Sequence, residues 1–201
     1  MPQDPASGAA RSVRTICELL ARSGFTVHAL GTTATERESK SDPVEYLKQI
    51  GASMKVEPGR SGVHVRPELR FHHRGVSYHL LHVGGRQLYG WQTLHGRQFD
   101  ILFDQALHDF KPDLLFTYGG LPADIKRHQR ARRQGVRIVF ALRNDRYLTP
   151  GFFDEMAGVL TPSQFLTDFY RQAIGLESMP LPLPMEIEDV VAEEREPIFS
   201  P

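Results

Sequence analysis

Residues 99–144 read "FDILFDQALHDFKPDLLFTYGGLPADIKRHQRARRQGVRIVFALRN". Phe99, Leu102, Phe103, Ala106, Leu107 and Phe110 recur at helical spacing without a gap, and Pro112 closes the helix. Residues 113–120 then run apolar without alternation and end on Gly119-Gly120, which predicts a buried strand. Pro122 opens a second, basic helix that reaches about Gln134, and Gly135 ends it. Residues 136–144 are another continuous apolar run, ending on Arg143-Asn144. This alternation of helix and buried strand belongs to an α/β protein with an open, mostly parallel sheet and helices on both faces.

The same rhythm extends to both sides. Val13, Ile16, Cys17 and Leu20 fall on one face of a helix from about Ala9 to Arg22, stopped at Ser23-Gly24. Residues 25–31 read as a short buried strand. Val44, Leu47 and Ile50 predict another helix, ended by Gly51. Residues 52–68, with two prolines and two glycines, read as irregular. Residues 69–83 are two strand-like runs around Arg74-Gly75, a β-hairpin inserted into the α/β pattern. Residues 84–98 read as a loop. Residues 157–163 form a last strand, and Ser163 is placed to cap a helix whose face is Phe165, Leu166, Phe169 and Ala173. The expected domain spans residues 1–178. Residues 179–201, rich in proline and acid, read as a linker or tail.

Composition narrows the function classes. Among 201 residues, Lys and Arg balance Asp and Glu at 24 each, which argues against a globally basic nucleic-acid binder. A single cysteine, Cys17, cannot form an intramolecular disulfide and fits a reducing compartment. No apolar h-region opens the chain, and no run approaches the roughly 18–20 apolar residues that span a bilayer. The expected location is the cytoplasm. Lys126, Arg127, Arg130, Arg132 and Arg133 make the 122–134 helix a local basic field. That field is either a solvated face or a peripheral contact with anionic lipid head groups or a phosphorylated acceptor. Four of the nine histidines, His72, His73, His79 and His82, crowd the hairpin. No HxH, HExxH or CxxC spacing accompanies them, so no metal site is expected.

Ligands in such sheets bind at the carboxyl ends of the strands. The segments to watch are residues 31–33, Tyr118-Gly119-Gly120, Arg143-Asn144 and residues 161–163. The turn Ser7-Gly8-Ala9-Ala10-Arg11 should share that edge, presenting backbone N–H groups at a helix N-terminus to a phosphate or simply capping the helix. Gly119-Gly120 either lets a ligand approach the backbone or turns the chain. Arg143, a guanidinium at the end of an apolar strand, needs an anionic partner: a ligand, or a carboxylate such as Asp145. No GxSxG or GxxxxGK[ST] pattern is present. The catalytic residues are therefore unassigned.

Three segments in order resemble a known family. The runs "SGAARSVRTICELLARSGFTVHALGT", "FDQALHDFKPDLLFTYGG" and "AGVLTPSQFLTDFYRQAIGL" are similar to the N-terminal half of retaining glycosyltransferases of family 4. That family has the GT-B fold, two Rossmann-like domains with the active site between them. The resemblance implies an acceptor-binding half-domain. It implies transfer of a sugar, with retention, from a nucleotide-sugar to a carbohydrate, lipid or small-molecule acceptor, with no metal. It places Ser7, Gly8, Ala9 and Ala10 near the donor's phosphates, and Arg143 and Asn144 at the cleft. The family often has a histidine where this chain has Arg143-Asn144. Its paired-glutamate motif, E-x7-E, belongs to the donor domain. Here the spacing recurs as Glu186/Glu194 and Glu188/Glu196, inside the acidic tail. The strand expected before the first loop is also not found, so the half-domain reads as shortened at both ends and nearly inactive alone. One alternative is a binding module working with a partner chain that supplies the donor domain. The other is a dinucleotide-dependent oxidoreductase domain, which the lack of a GxGxxG after a first strand disfavours.

Overall fold

The structure is a computed structural model that describes residue 4 and residues 7–35, 42–51, 53–57, 67–84, 90–149 and 151–182. In chain order the elements are α1 (Gly8–Arg22), β1 (Val27–Thr32), α2 (Pro43–Gln49), β2 (Ser53–Glu57), β3 (Glu68–His73), β4 (Val76–Leu81) and α3 (Gly90–Phe110). There follow β5 (Leu114–Thr117), α4 (Pro122–Arg133), β6 (Arg137–Ala141), β7 (Gly158–Thr161), α5 (Gln164–Ile174) and β8 (Met179–Pro180). The class is α/β, with helices on both faces and mostly parallel pairing.

The strands form two four-stranded sheets. The first has the order β1-β4-β3-β2, with β1 parallel to β4 and the rest antiparallel; the second, β5-β6-β7-β8, is parallel throughout. The hairpin is β3–β4. Its turn puts Arg74 at φ 47° and Gly75 at φ 80°, the left-handed pair that matches the twist of two antiparallel strands. The hairpin does not stand outside the sheet: β4 lies directly beside β1.

Pleat alternation explains the layers. Leu69, Phe71, Tyr78 and Leu80 share one face of the first sheet and pack with Leu47 of α2 and Cys17 and Ala21 of α1. Leu30 and Leu81 point the other way, toward Phe99 and Leu102 of α3. In the second sheet Phe140 and Val159 meet Tyr170 and Leu166 of α5. Phe103 and Leu107 of α3 join Ala131 of α4 in a cluster that takes in Leu30 of β1 and Leu115 of β5. That cluster ties the two sheets together.

Three expectations about elements need correction. Residues 53–57, read as irregular, are the edge strand β2, whose register is set by pairing with β3 rather than by its own pattern. α3 begins at Gly90, inside the expected 84–98 loop. Gly90 and Gly96 are poor helix formers and disguise its first turns, but the apolar face from Phe99 onward carries the helix. Met179 and Pro180, assigned to the tail, extend the second sheet by pairing with Leu160 and Thr161. Residues 183–201, including both glutamate pairs, lie outside the described residues.

Candidate functional site

The watched segments all lie at carboxyl ends of strands: residues 31–33 at β1, 118–120 at β5, 143–144 at β6 and 161–163 at β7. Arg143, Thr161 and Pro162 line one groove there with Ala141, Leu160 and Ile16 of α1. Parallel pairing of β6 with β5 and β7 aligns these ends, so topology brings the residues together.

Arg143 is the chemically unresolved group of this edge. It is half-buried, and its Nε atom is enclosed with no hydrogen-bond partner among the described residues. Burial lowers its pKa from the ordinary arginine value, and the nearby Tyr118 hydroxyl opposes that shift. The neighbouring carboxylate expected as a partner, Asp145, forms no ion pair with it. A guanidinium stays ionised under such a shift, so the site holds a partly desolvated positive charge. Tyr118 and Leu121, just after β5, and Leu148, in the loop after β6, are exposed.

Gly119 and Gly120 owe their size to close packing. A side chain on Gly119 would meet Asp124 Oδ2 at 2.7 Å, and one on Gly120 would run into the Tyr147 ring. Asp124 also accepts the Leu121 N–H at 3.1 Å, fixing the strand-to-helix turn. Tyr147 is held in turn by Tyr170, fully buried, whose hydroxyl accepts the Tyr147 N–H at 3.1 Å and donates to the Asn144 carbonyl at 2.7 Å. Asn144 spends its own side chain on its loop, accepting the Arg146 N–H at 3.0 Å. Tyr170 and Tyr147 were not anticipated as supports of this edge. The only trace of them in the sequence is a high aromatic content between residues 147 and 170.

The turn at residues 7–11 is a helix cap. Ser7 Oγ accepts the Ala10 N–H at 3.3 Å, and the Ser7 carbonyl accepts the Arg11 N–H at 3.0 Å. Among the described residues no atom lies within 4 Å of where a Gly8 side chain would begin, so their packing gives no reason for glycine there. α1 contributes Ile16 to the Arg143 groove, about two turns beyond this cap.

The basic helix is largely neutralised from within. Arg127 is 3% exposed; its Nε lies 2.7 Å from Asp100 Oδ1, its Nη1 2.9 Å from Asp124 Oδ1, and its guanidinium sits over Phe99. Arg130 pairs with Asp100 and Asp104, and Arg132 with Glu155. Lys126 and Arg133 remain exposed. No described helix is long and apolar enough to cross a membrane.

Three of the four hairpin histidines have a local partner. His79 Nε2 is 2.9 Å from Glu68 Oε2, both buried, and Arg70 approaches the same carboxylate at 3.6 Å. His72 meets Ser77 Oγ at 3.1 Å, and His82 meets Thr33 Oγ1 at 3.3 Å. Among the described residues no three His, Cys, Asp or Glu side chains converge as a metal site. His28, not singled out in the sequence, stacks parallel to His79 at 6.1 Å.

Residues 7–177 match the family described as the glycosyl transferase 4-like domain. The chain belongs to that family. Comparison with curated proteins and with solved structures finds no match. The family assignment brings the glycosyltransferase class, with nucleotide-sugar and acceptor as its substrates. It agrees with the fold: all three sequence segments that carried the resemblance lie within the matched span. In this glycosyltransferase domain the matched segments deliver the α1 cap, the end of β5 and the end of β7, while Arg143 enters on β6 between them.

Proposed function

We propose that this domain works in transfer of a sugar from a nucleotide-sugar donor to a carbohydrate, lipid or small-molecule acceptor, with retention at the anomeric carbon. It forms the acceptor side of the cleft, and its carboxyl edge also receives the donor's phosphates. The observation that carries this reading is Arg143, a half-buried guanidinium with no counter-charge among the described residues, at the strand ends where α/β sheets bind ligands. In such a transfer the negative charge grows on the departing diphosphate. A fixed, partly desolvated cation favours that charge more than it would in water. The α1 N-terminus, with its open Gly8, is a second source of positive potential on the same edge. Tyr118, Leu121 and Leu148 offer apolar and ring surface to the acceptor.

The test is calorimetric titration with inorganic pyrophosphate and with uridine and guanosine diphosphates, for the unaltered chain and for Arg143→Gln. Binding should weaken about tenfold in the variant, the loss of one charge-assisted contact. Equal binding by both proteins, with unchanged circular dichroism, would remove Arg143 from the site and with it the main support for this reading.

A further inference from the structure

With no counter-charge among the described residues to hold its head group, Arg143 takes its place from the backbone. On one side the Leu142 N–H still donates to the Leu160 carbonyl at 2.8 Å, and from Arg143 onward the chain leaves the sheet. On the other side the Asn144 carbonyl accepts the Tyr170 hydroxyl at 2.7 Å, and that hydroxyl accepts the Tyr147 N–H at 3.1 Å. One phenol oxygen thus closes the turn from 144 to 147 and ties it to α5. Within the turn, Asn144 Oδ1 accepts the Arg146 N–H at 3.0 Å. Tyr147 carries the tie on to β5, because its ring fills the space beside Gly120. α5 itself starts just past β7, with Ser163 as its cap. The Tyr170 hydroxyl therefore joins the carboxyl ends of β5, β6 and β7, and Arg143 lies between two anchored neighbours, Leu142 and Asn144.

Tyr170 is 0% exposed, and its ring meets those of Phe153 and Phe169 edge to face, at 6.2 and 5.2 Å between centroids. A phenylalanine would fill the same apolar space without a buried polar atom to satisfy. What the hydroxyl adds is direction: it donates to Asn144 and accepts from Tyr147. A guanidinium on a loose turn loses much freedom when it takes an anion, and that loss weakens binding. A backbone fixed on both sides of Arg143 removes part of that loss before the ligand arrives.

We propose that Tyr170 is a positioning residue for Arg143: its hydroxyl staples the 144–147 turn, so that the guanidinium stands at its groove ready for a diphosphate. Tyr170 is enclosed and touches no substrate; it acts through the backbone beside Arg143. The role rests on the reading that Arg143 receives the donor's phosphates.

Calorimetric titration with inorganic pyrophosphate tests it on the full chain and on Tyr170→Phe, Arg143→Gln, the double variant and Phe153→Leu. Tyr170→Phe should weaken binding about fivefold, the effect of having to order one freed side chain. The double variant should bind within about twofold of Arg143→Gln alone, because a positioning group then has nothing left to position. Phe153→Leu loosens the packing on the Tyr170 ring but keeps the hydroxyl, so its affinity should stay within about twofold of the unaltered chain. Unchanged affinity in Tyr170→Phe, additive losses in the double variant, or an equal loss in Phe153→Leu each overturns the proposal. Amide exchange gives a second readout with Tyr170 unaltered. Coupling between ligand and staple is reciprocal. Saturating pyrophosphate should therefore slow exchange of the Tyr147 N–H about fivefold more in the unaltered chain than in Arg143→Gln at equal saturation. The same slowing in both proteins overturns the proposal, even where Tyr170→Phe does not fold. Equal pyrophosphate binding by the unaltered chain and Arg143→Gln is a different failure: it removes the support of the sugar-transfer reading, and the positioning role falls with it.

Discussion

Gly120 is glycine because Tyr147 occupies the space a side chain would need. Gly120→Ala should therefore cost about 1–3 kcal/mol of stability, read by urea unfolding, as overpacking does. Gly8 faces open space and sits in the first turn of α1. Gly8→Ala should leave stability within about 0.5 kcal/mol, or raise it slightly, because alanine favours helix. If the open face serves a phosphate, pyrophosphate binding should fall in that same variant; unchanged binding would make Ser7 and Gly8 a cap and nothing more. The two glycines look alike in sequence, and only their neighbours tell them apart. His28 gives a residue-scale prediction for pH. Burial lowers its pKa below the ordinary 6.5, and His79, Arg70 and His72 add to the shift. The folded chain then holds fewer protons on His28 than the unfolded chain does. That contribution to stability is complete above about pH 6.5 and is lost as pH falls toward the depressed folded value. His128, also lowered by burial, acts in the same direction. Between pH 7.5 and 5.5 the unfolding free energy should drop, and His28→Asn should flatten the slope.

α4 shows what charge counting conceals at the scale of an element. Five basic residues in one helix look like a binding face, but the helical repeat turns Arg127 toward Asp100 and Asp124, and Arg130 toward Asp100 and Asp104. Arg127→Met should cost about 2–4 kcal/mol. That is below the loss for a fully enclosed pair, because Asp100 is partly exposed. Lys126→Ala and Arg133→Ala should each stay within about 0.5 kcal/mol. Losses of similar size in all three variants would mean that the Asp100 network is not what anchors the helix. Elements with their own period were legible in the sequence. The Phe99–Phe110 face, the apolar run of β6 and the Ser163 cap all fixed their helices or strands. β2 was not legible, because its place comes from β3. The first turns of α3 were not, because Gly90 and Gly96 argue against a helix that tertiary packing imposes. The gathering of residues 118–120, 143–144 and 161–163 at one sheet edge was legible in outline from strand ends. Its support by Tyr170 and Tyr147 was not, since contacts across 23 and 26 residues leave no local pattern.

At the scale of the whole molecule, no ladder among the described residues joins the two sheets, so side chains carry the coupling between them. The cluster of Phe103, Leu107, Ala131 and Val136, with Leu30 from one sheet and Leu115 from the other, is the main such joint. Leu107 is 4% exposed and comes from neither sheet, so shortening it weakens the joint without altering any strand. Leu107→Ala should cost about 2–4 kcal/mol through lost burial and the cavity left behind. Its distinctive effect should be on cooperativity. With the joint intact, β4 and β6 amides should lose exchange protection together as urea rises, because neither half encloses its own apolar surface without the shared helices. In Leu107→Ala the β6 amides should open at lower urea than those of β4. The first sheet keeps the separate core of Leu47, Leu69, Phe71 and Tyr78 under α1 and α2. The second sheet leans on α4, which the cavity loosens. Equal loss of protection in both sheets would show that the coupling runs instead through α1, which touches β1 on one side and the Arg143 groove on the other.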